Sequence, residues 1–144
     1  MRVSDILKSK GTAVCTIGPD ATIADAVRAL HQFGIGAIVV SSDGSIVEGI
    51  LSERDIVRAL HSEGAGVRDR LVSELMTDEV VTCSPREQVD YMMAVMTQKR
   101  FRHAPVVESG KLAGIISIGD VVATRVAELE REAEALEQYI QYGR

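Results

Sequence analysis

Aromatic residues and cysteine are scarce in this chain of 144 residues. Phe, Tyr and Trp together make up 3% of it, with no Trp at all, whereas 46% of the residues are hydrophobic. The core is therefore expected to be aliphatic. Cys15 and Cys83 are too few and too far apart for a disulfide framework, so we expect two buried, reduced thiols and a cytoplasmic protein.

Long apolar runs and an excess of positive charge are also missing. No run approaches the roughly 18 residues of a membrane span, and the first residues lack the apolar stretch of a signal peptide. The formal net charge of −5 argues against general affinity for nucleic acid. The basic patch from Lys99 to Arg102 leaves local nucleic-acid binding open, but we expect neither a nucleic acid nor a membrane as partner.

One pattern occurs twice. Residues 49–57 read G-I-L-S-E-R-D-I-V, and residues 114–122 read G-I-I-S-I-G-D-V-V. Pro19 also matches Pro85, and Asp43-Gly44 matches Ser109-Gly110. A unit that occurs twice in a chain of this length predicts two halves with one architecture.

Each half is predicted to fold in the order β-α-β-β-α, so the fold class is α/β (α+β). Asp-Gly and Ser-Gly between apolar runs predict hairpins, the first returning over residues 46–51 and the second over 111–117. Helical turns at 4–7 and 73–76 open the halves, short strands follow near 13–17 and 80–83, and helices beginning at Ser52 and Ser117 close them. The predicted division is repeat 1 over residues 1–62, a linker over 63–71, repeat 2 over 72–125, and a C-terminal helical extension over 126–144.

Capping residues predict where the helix between strand and hairpin begins in each half. Thr22 has the role of N-cap in the first half. In the second half Ser84 is the expected N-cap, with Pro85 at the first helical position and Glu87 completing a capping box.

The last helix extends beyond the end of the repeated unit. Its apolar residues alternate spacings of four and three, which is an a/d seam of nearly three heptads. We interpret this seam as contact with a second subunit, although packing on its own domain is the alternative. The seam residues are Val122, Val126, Leu129, Ala133, Leu136 and Ile140.

These residues together resemble a tandem pair of cystathionine-β-synthase (CBS) domains, a Bateman module, of the stand-alone bacterial type. The resemblance rests on the two G-I-x-S-x-x-D phrases, on residues 37–40 with Asp43-Gly44, and on residues 102–107, and it covers roughly residues 1–125. It implies two repeats packed sheet to sheet with pseudo-two-fold symmetry. It also implies two clefts for adenine nucleotides and pairing into a homodimer.

The resemblance also implies roles for individual residues. Asp55 and Asp120 would bind ribose hydroxyls, with Ser52 and Ser117 near the ribose or phosphate. Basic residues near the Arg-His-x-Pro position would meet phosphate. The remaining candidate ligand-binding residues are Arg54, Arg102, His103, Ala104, Pro105, Ile38, Thr16 and Thr82.

Residue chemistry points the same way but leaves a second interpretation open. One carboxylate can accept from both ribose hydroxyls, and a helix N-terminus favours a phosphate. Ser-x-x-Asp is equally a capping box, a device that Thr22-x-x-Asp25 repeats where no ligand is expected. Matched by position, Ile35-Gly36 stand where the second repeat has Arg102-His103, so the two clefts are expected to differ.

The leading hypothesis is a regulatory module without catalysis. It would bind an adenine nucleotide, AMP first and then ATP, NAD or S-adenosylmethionine, with ADP also possible, and pass that state to an unknown partner protein. The alternative is a structural dimer or adaptor with non-functional clefts. An enzyme is disfavoured because the chain has no G-x-S-x-G elbow and no P-loop, and its three histidines lack zinc-site spacing. We expect no catalytic residue, no metal and no catalytic cofactor.

Overall fold

The computed structural model describes residues 1–142. Its mixed α/β architecture consists of two small sheets with their helices and a long last helix, as the sequence predicts. The elements are α1 (Val3–Lys10), β1 (Thr16–Ile17), α2 (Ile23–Phe33), β2 (Ala37–Val40), β3 (Gly49–Ser52), α3 (Glu53–Glu63), a 3₁₀ segment (Gly64–Asp69), α4 (Val72–Leu75), α5 (Val89–Lys99), β4 (His103–Glu108), β5 (Lys111–Ser117) and α6 (Ile118–Tyr142).

The first sheet has the order β1-β2-β3, with β1 parallel to β2 and β2 antiparallel to β3. All four residues of β2 are buried. The return strand begins at Gly49, later than the predicted residue 46. The reason is the turn: Asp43 Oδ1 accepts from the backbone N–H groups of Ser45 (2.8 Å) and Ile46 (2.9 Å), which keeps these residues in the loop.

The second sheet is the hairpin β4–β5, and its bounds confirm the prediction within one residue. Ser109 and Gly110 have φ angles of 52° and 78°, the two positive values of a tight type I′ turn. The strand predicted near 80–83 is wrong. Only Cys83 bridges β4, donating to Pro105 O (3.0 Å) and accepting from Val107 N (2.8 Å).

The predicted start of the second repeat's long helix is also wrong. Helix α5 begins at Val89 with Gln88 as its N-cap. Ser84 stabilises a turn instead: its Oγ accepts from Arg86 N (3.0 Å), and its carbonyl accepts from Glu87 N (3.1 Å). The Ser-Pro-x-Glu signal is local, and a turn satisfies the same groups as a helix start. In the first repeat Thr22 caps α2 as predicted, with its Oγ1 3.2 Å from Asp25 N.

The two repeats exchange their opening helices. Val3, Ile6 and Leu7 of α1 belong to the core of the second repeat, beside residues such as Met92 and Ile116. Reciprocally, Val72 of α4 belongs to the core of the first repeat, with Leu75 and Met76 packed against it. Each aliphatic core is therefore completed by a helix from the other half of the chain.

Backbone hydrogen bonds repeat this exchange with pseudo-two-fold symmetry. Val3 N donates to Glu87 O (2.9 Å), and its counterpart Val72 N donates to Ala21 O (2.8 Å). The same relation holds one residue further along. There Ser4 N donates to Pro85 O (2.9 Å), and Ser73 N donates to Pro19 O (3.0 Å).

The repeated glycine of the G-I-x-S phrase is explained by the same contact. A Cβ on Gly49 would lie 2.5 Å from Met76 Sδ and 3.0 Å from Thr77 O. A Cβ on Gly114 would lie 2.6 Å from Cδ2 of Leu7. In both repeats, glycine leaves room at the closing strand for the exchanged helix or, at Gly49, for the residues directly after it.

Helix α6 continues unbroken for 25 residues. It begins beside Ser117 and carries the predicted seam along its length. The seam is exposed towards its far end, where Leu129, Leu136 and Ile140 are 47%, 59% and 54% accessible.

We predict that Gly49→Ala lowers the free energy of unfolding by about 1–3 kcal/mol, the usual range for overpacking. The added methyl group has no room between β3 and the Met76–Thr77 segment. Urea denaturation of the full chain measures the change. Gly66→Ala is the matched control, because a Cβ there meets nothing within 4 Å. Equal unfolding free energies for the two variants would contradict the contact.

Candidate functional site

A cavity of about 650 Å³ lies between the two repeats. Its volume falls within the roughly 300–1,000 Å³ of small-molecule sites. The first repeat contributes the end of β3 and the start of α3, including Ser52, Arg54 and Asp55. The second repeat contributes residues 79–81 and 99–103. Five of the sequence-predicted residues therefore meet at one place: Ser52, Arg54 and Asp55 of the first repeat, and Arg102 and His103 of the second.

Ser52 and Asp55 form the capping box of α3. Asp55 Oδ2 accepts from Ser52 N (2.9 Å) and from Ser52 Oγ (3.0 Å), and Asp55 N donates to Ser52 Oγ at 3.3 Å. The capping interpretation of Ser-x-x-Asp is thus correct. It leaves the ribose role open, because within residues 1–142 the hydrogen bonds of this carboxylate involve Oδ2, and Asp55 still lines the cavity.

Apolar side chains form another part of the cavity wall. Ile50 from β3, Val80 and Val81 from the segment after α4, and Phe101 line it. Val80, Val81, Ile50 and Phe101 are all half-buried, so they offer accessible apolar surface. A flat heterocycle such as adenine is the kind of group that this wall could hold.

His103 of the second repeat lies close to Gly36 and Glu53 of the first. A Cβ built on Gly36 of the first repeat would lie 3.4 Å from Cε1 of His103 and 3.8 Å from the carboxyl carbon of Glu53. Burial lowers the pKa of His103 below its ordinary value, and the charge of Lys10 lowers it further against the opposite effects of Glu53 and Asp120. The imidazole is therefore neutral at pH 7 and can both donate and accept a hydrogen bond.

The second Ser-x-x-Asp pair lies outside this cavity and is already occupied. Asp120 Oδ2 accepts from Lys10 Nζ at 2.7 Å and from Ser117 N at 2.9 Å. Burial raises the pKa of Asp120, but the hydrogen bond from Lys10 and those from Ser117 outweigh it, so this pKa lies below the ordinary value. The carboxylate that corresponds to Asp55 is thus held by an ammonium group of the chain itself.

The different lengths of the exchanged helices explain why Lys10 reaches Asp120. Helix α4 ends at Leu75, so Thr77 pairs with β3 through hydrogen bonds to and from Ile50, each 2.9 Å long. Helix α1 continues to Lys10, whose Nζ reaches the carbonyl of Ile115, the counterpart of Ile50, at 3.1 Å. Sequence reasoning missed Lys10 because it belongs to no motif and meets Asp120 only in the folded chain.

The other candidate residues are dispersed. Ile38 and Ala104 are buried in the two cores, and Pro105 is buried in β4, so the side chains of these three do not line the cavity. Thr16 is half-buried in β1, and Thr82 is exposed directly after Val81.

The predicted matching of the two repeats is wrong by one residue at this site. Across the hairpins Ala37 lies opposite Ser52, and His103 lies opposite Ser117. Ala37 is therefore the counterpart of His103, and Gly36 is the counterpart of Arg102. The alignment was displaced by one residue because Ala37 was matched to Ala104 by residue identity. The first repeat still lacks the basic pair, as predicted.

Two other features are absent from residues 1–142. No group of three or more His, Cys, Asp or Glu side chains there could hold a metal ion. In the same part of the chain, no helix combines the length and apolar character needed to cross a membrane. Both cysteines are free, and burial raises the pKa of the Cys83 thiol to about 12.

Comparison with known proteins gives a consistent result. The family model described as CBS domain matches residues 3–62 and 72–126. The chain is 37% identical to a mitochondrial CBS domain-containing protein of Arabidopsis thaliana, over 98% of this chain and 72% of that protein. It is 49% identical to a solved CBS-domain containing protein of Agrobacterium tumefaciens, with a TM-score of 0.83 over 87% of this chain and 99% of the other.

A further solved structure contains ligands. It is a CBS domain pair in complex with 5′-methylthioadenosine and S-adenosyl-L-methionine, with a TM-score of 0.77 and 24% identity over 89% of this chain and 98% of the other. This likeness shows a shared fold.

We predict that Lys10→Met raises the pKa of Asp120. Without the ammonium group, burial raises this pKa and only the bonds from Ser117 oppose it. An NMR titration that follows the Asp120 carboxyl carbon measures the change. Lys8→Met is the control, since Lys8 is exposed on the same helix and forms no ion pair with any residue in 1–142. The same Asp120 titration in both variants would show that the Lys10 contact does not persist in solution.

Proposed function

This chain belongs to the CBS domain family, whose paired domains are typically regulatory modules, and on that premise we propose that it binds an adenine nucleotide beside Asp55 and signals the bound state to a partner protein. The candidate ligands are AMP, ADP, ATP, NAD and S-adenosylmethionine. The observation that carries the proposal is the meeting of three groups in one cavity. These are a carboxylate at a helix N-terminus, an apolar wall and several cationic side chains.

Each group suits one part of a nucleotide. The Asp55 carboxylate can accept hydrogen bonds from neighbouring ribose hydroxyls. The wall of Ile50, Val80 and Val81 can take the base, and Arg102 can hold a phosphate through two parallel hydrogen bonds. The related pair that holds 5′-methylthioadenosine and S-adenosyl-L-methionine supports adenosine as the common element of the ligand.

The proposal assigns one nucleotide to each chain. Asp120, the counterpart of Asp55, is held by Lys10 at 2.7 Å, and both partners are partly buried. A ribose would have to displace this ion pair. The cavity beside Asp55 requires no such displacement.

We also propose that two chains associate through the seam of α6. Leu129, Leu136 and Ile140 are exposed at heptad spacing, and Glu130, Glu132 and Glu137 flank them. The same observation favours the alternative function, a structural dimer or adaptor, if the cavity binds no nucleotide.

We predict that Asp55→Ala weakens adenine-nucleotide binding at least about tenfold, because hydrogen bonds to a charged acceptor contribute roughly 1.5–3 kcal/mol. Isothermal titration calorimetry with AMP and ATP measures the affinity. Thermal stability gives a second measurement, since a ligand at 100 times its Kd adds about 2.7 kcal/mol.

Asp25→Ala is the matched control for that change. Asp25 completes the same kind of capping box on α2, where its carboxylate accepts from Thr22 N at 3.2 Å, but it does not line the cavity. Both variants lose a helix cap, and only Asp55→Ala should lose affinity. Asp120→Ala should keep it as well. Affinity retained in Asp55→Ala would reject the ribose assignment.

We predict that Leu136→Lys combined with Ile140→Lys reduces self-association, because it places two ammonium groups in the apolar seam. Sedimentation equilibrium of the full chain measures the mass. Ala135→Lys combined with Gln138→Lys is the control, since it adds the same charge to the same helix off the seam. An equal loss of mass in both variants, or in neither, would contradict a seam interface.

A further inference from the structure

The cavity beside Asp55 is surrounded by an unusual number of cations. Arg54 and Arg58 reach it from the first turns of α3. Lys99, Arg100 and Arg102 reach it from the connection between α5 and β4. The chain as a whole is acidic, with 21 acidic against 16 basic residues, so composition alone does not account for this concentration.

Four other cations of residues 1–142 are held in ion pairs, whereas Lys8 and several other exposed ones are not. Arg28 is paired with Asp25, Arg125 with Glu128, and Lys10 with Asp120. Arg70 is paired with both Glu63 and Glu74. By contrast, none of the five cavity cations forms an ion pair within 4.0 Å of a residue in 1–142. Like charges that converge without partners repel each other, and an anion removes that repulsion.

The charges are not distributed evenly over the site. Three acidic residues also line the cavity: Glu53 and Asp55 in the first turn of α3, where the ribose is proposed to bind, and Glu79 from the second repeat. Beyond them a smaller cavity of about 470 Å³ adjoins, and Arg54, Arg100 and Arg102 line both spaces. Among residues 1–142, no acidic side chain lines the smaller cavity, whose other walls are Met96, Thr97, Phe101 and Ile118. The cationic surface therefore extends from the cavity beside Asp55 into the adjoining one.

The geometry points to a nucleotide with two or more phosphates as the ligand, its chain running from the ribose at Asp55 across Arg54, Arg100 and Arg102. This inference rests on the proposed adenine-nucleotide function and revises the ranking of AMP first. Arginine pairs with phosphate oxygens through two parallel hydrogen bonds. Because several arginines line the cavity, each added phosphate can pair with a further guanidinium group. 5′-Methylthioadenosine offers these arginines no anion, and S-adenosylmethionine offers a single carboxylate beside two cationic groups, so neither matches several guanidinium groups.

The test is an affinity series on the full chain. Adenosine, AMP, ADP, ATP, 5′-methylthioadenosine and S-adenosylmethionine are titrated by calorimetry at one ionic strength and again at higher salt. We expect affinity to rise from adenosine to ATP, with at least about a tenfold gain from AMP to ATP. That gain should diminish with salt, because the interaction is between charges.

Variants show which residues produce the gain in affinity from AMP to ATP. Arg54→Gln combined with Arg102→Gln should abolish most of the difference in affinity between AMP and ATP, and should weaken ATP binding much more than adenosine binding. Arg28→Gln is the control, because Arg28 is exposed, paired with Asp25 and outside both cavities. Circular dichroism confirms that each variant is folded.

The two proposals fail in different ways. If adenosine compounds bind but affinity is flat from AMP to ATP, or S-adenosylmethionine binds as tightly as ATP, only the polyphosphate inference is overturned. An ATP advantage that survives in the double variant overturns it too. If no adenosine compound binds at all, the proposed function itself is wrong.

Discussion

The close approach of an exchanged helix to a glycine of the opposite repeat is the constraint on which the rest of the structure depends. At Gly49 and Gly114 no side chain separates the closing strand from the helix lying on it. Each exchanged helix completes the core of the opposite repeat, so neither repeat has a full core of its own. The cavity between the repeats is lined by both, and Thr77, which lies against Gly49, is part of its wall.

The same scaffold yields two unequal half-sites because the exchanged helices differ in length. Helix α4 stops early, and the segment after it forms a wall of the open cavity beside Asp55. Helix α1 runs on to Lys10, which holds the equivalent carboxylate of Asp120. A single extra turn at one end of the chain thus distinguishes two sites whose Ser-x-x-Asp sequences match.

Local signals in the sequence predicted most of the fold. The Ser52–Asp55 box, the Ser109-Gly110 turn and the long last helix were correct because each depends on residues close together in sequence. The prediction at Ser84 was wrong because a turn and a helix start use the same hydrogen bonds. Helix α5 begins at Val89, whose N–H donates to Met1 O (3.0 Å), a residue distant in sequence. Likewise, the ion pair of Lys10 could not be predicted, because its partner Asp120 is distant in sequence. The basic patch from Lys99 to Arg102 is visible in the sequence, but its convergence with Arg58 of α3 on one cavity is visible only in the fold.

Helix α6 connects two regions that are far apart. Its first turn contains Asp120, in the cap next to the cavity residues, and its last turns contain the exposed part of the seam. With a rise of about 1.5 Å per residue, its length is about 37 Å. A rigid rod of that length is a lever: a tilt of about 5° at its base displaces its tip by about 3 Å. Movements at the base that are too small to alter the cores are thus large enough at the tip to change which side chains meet there.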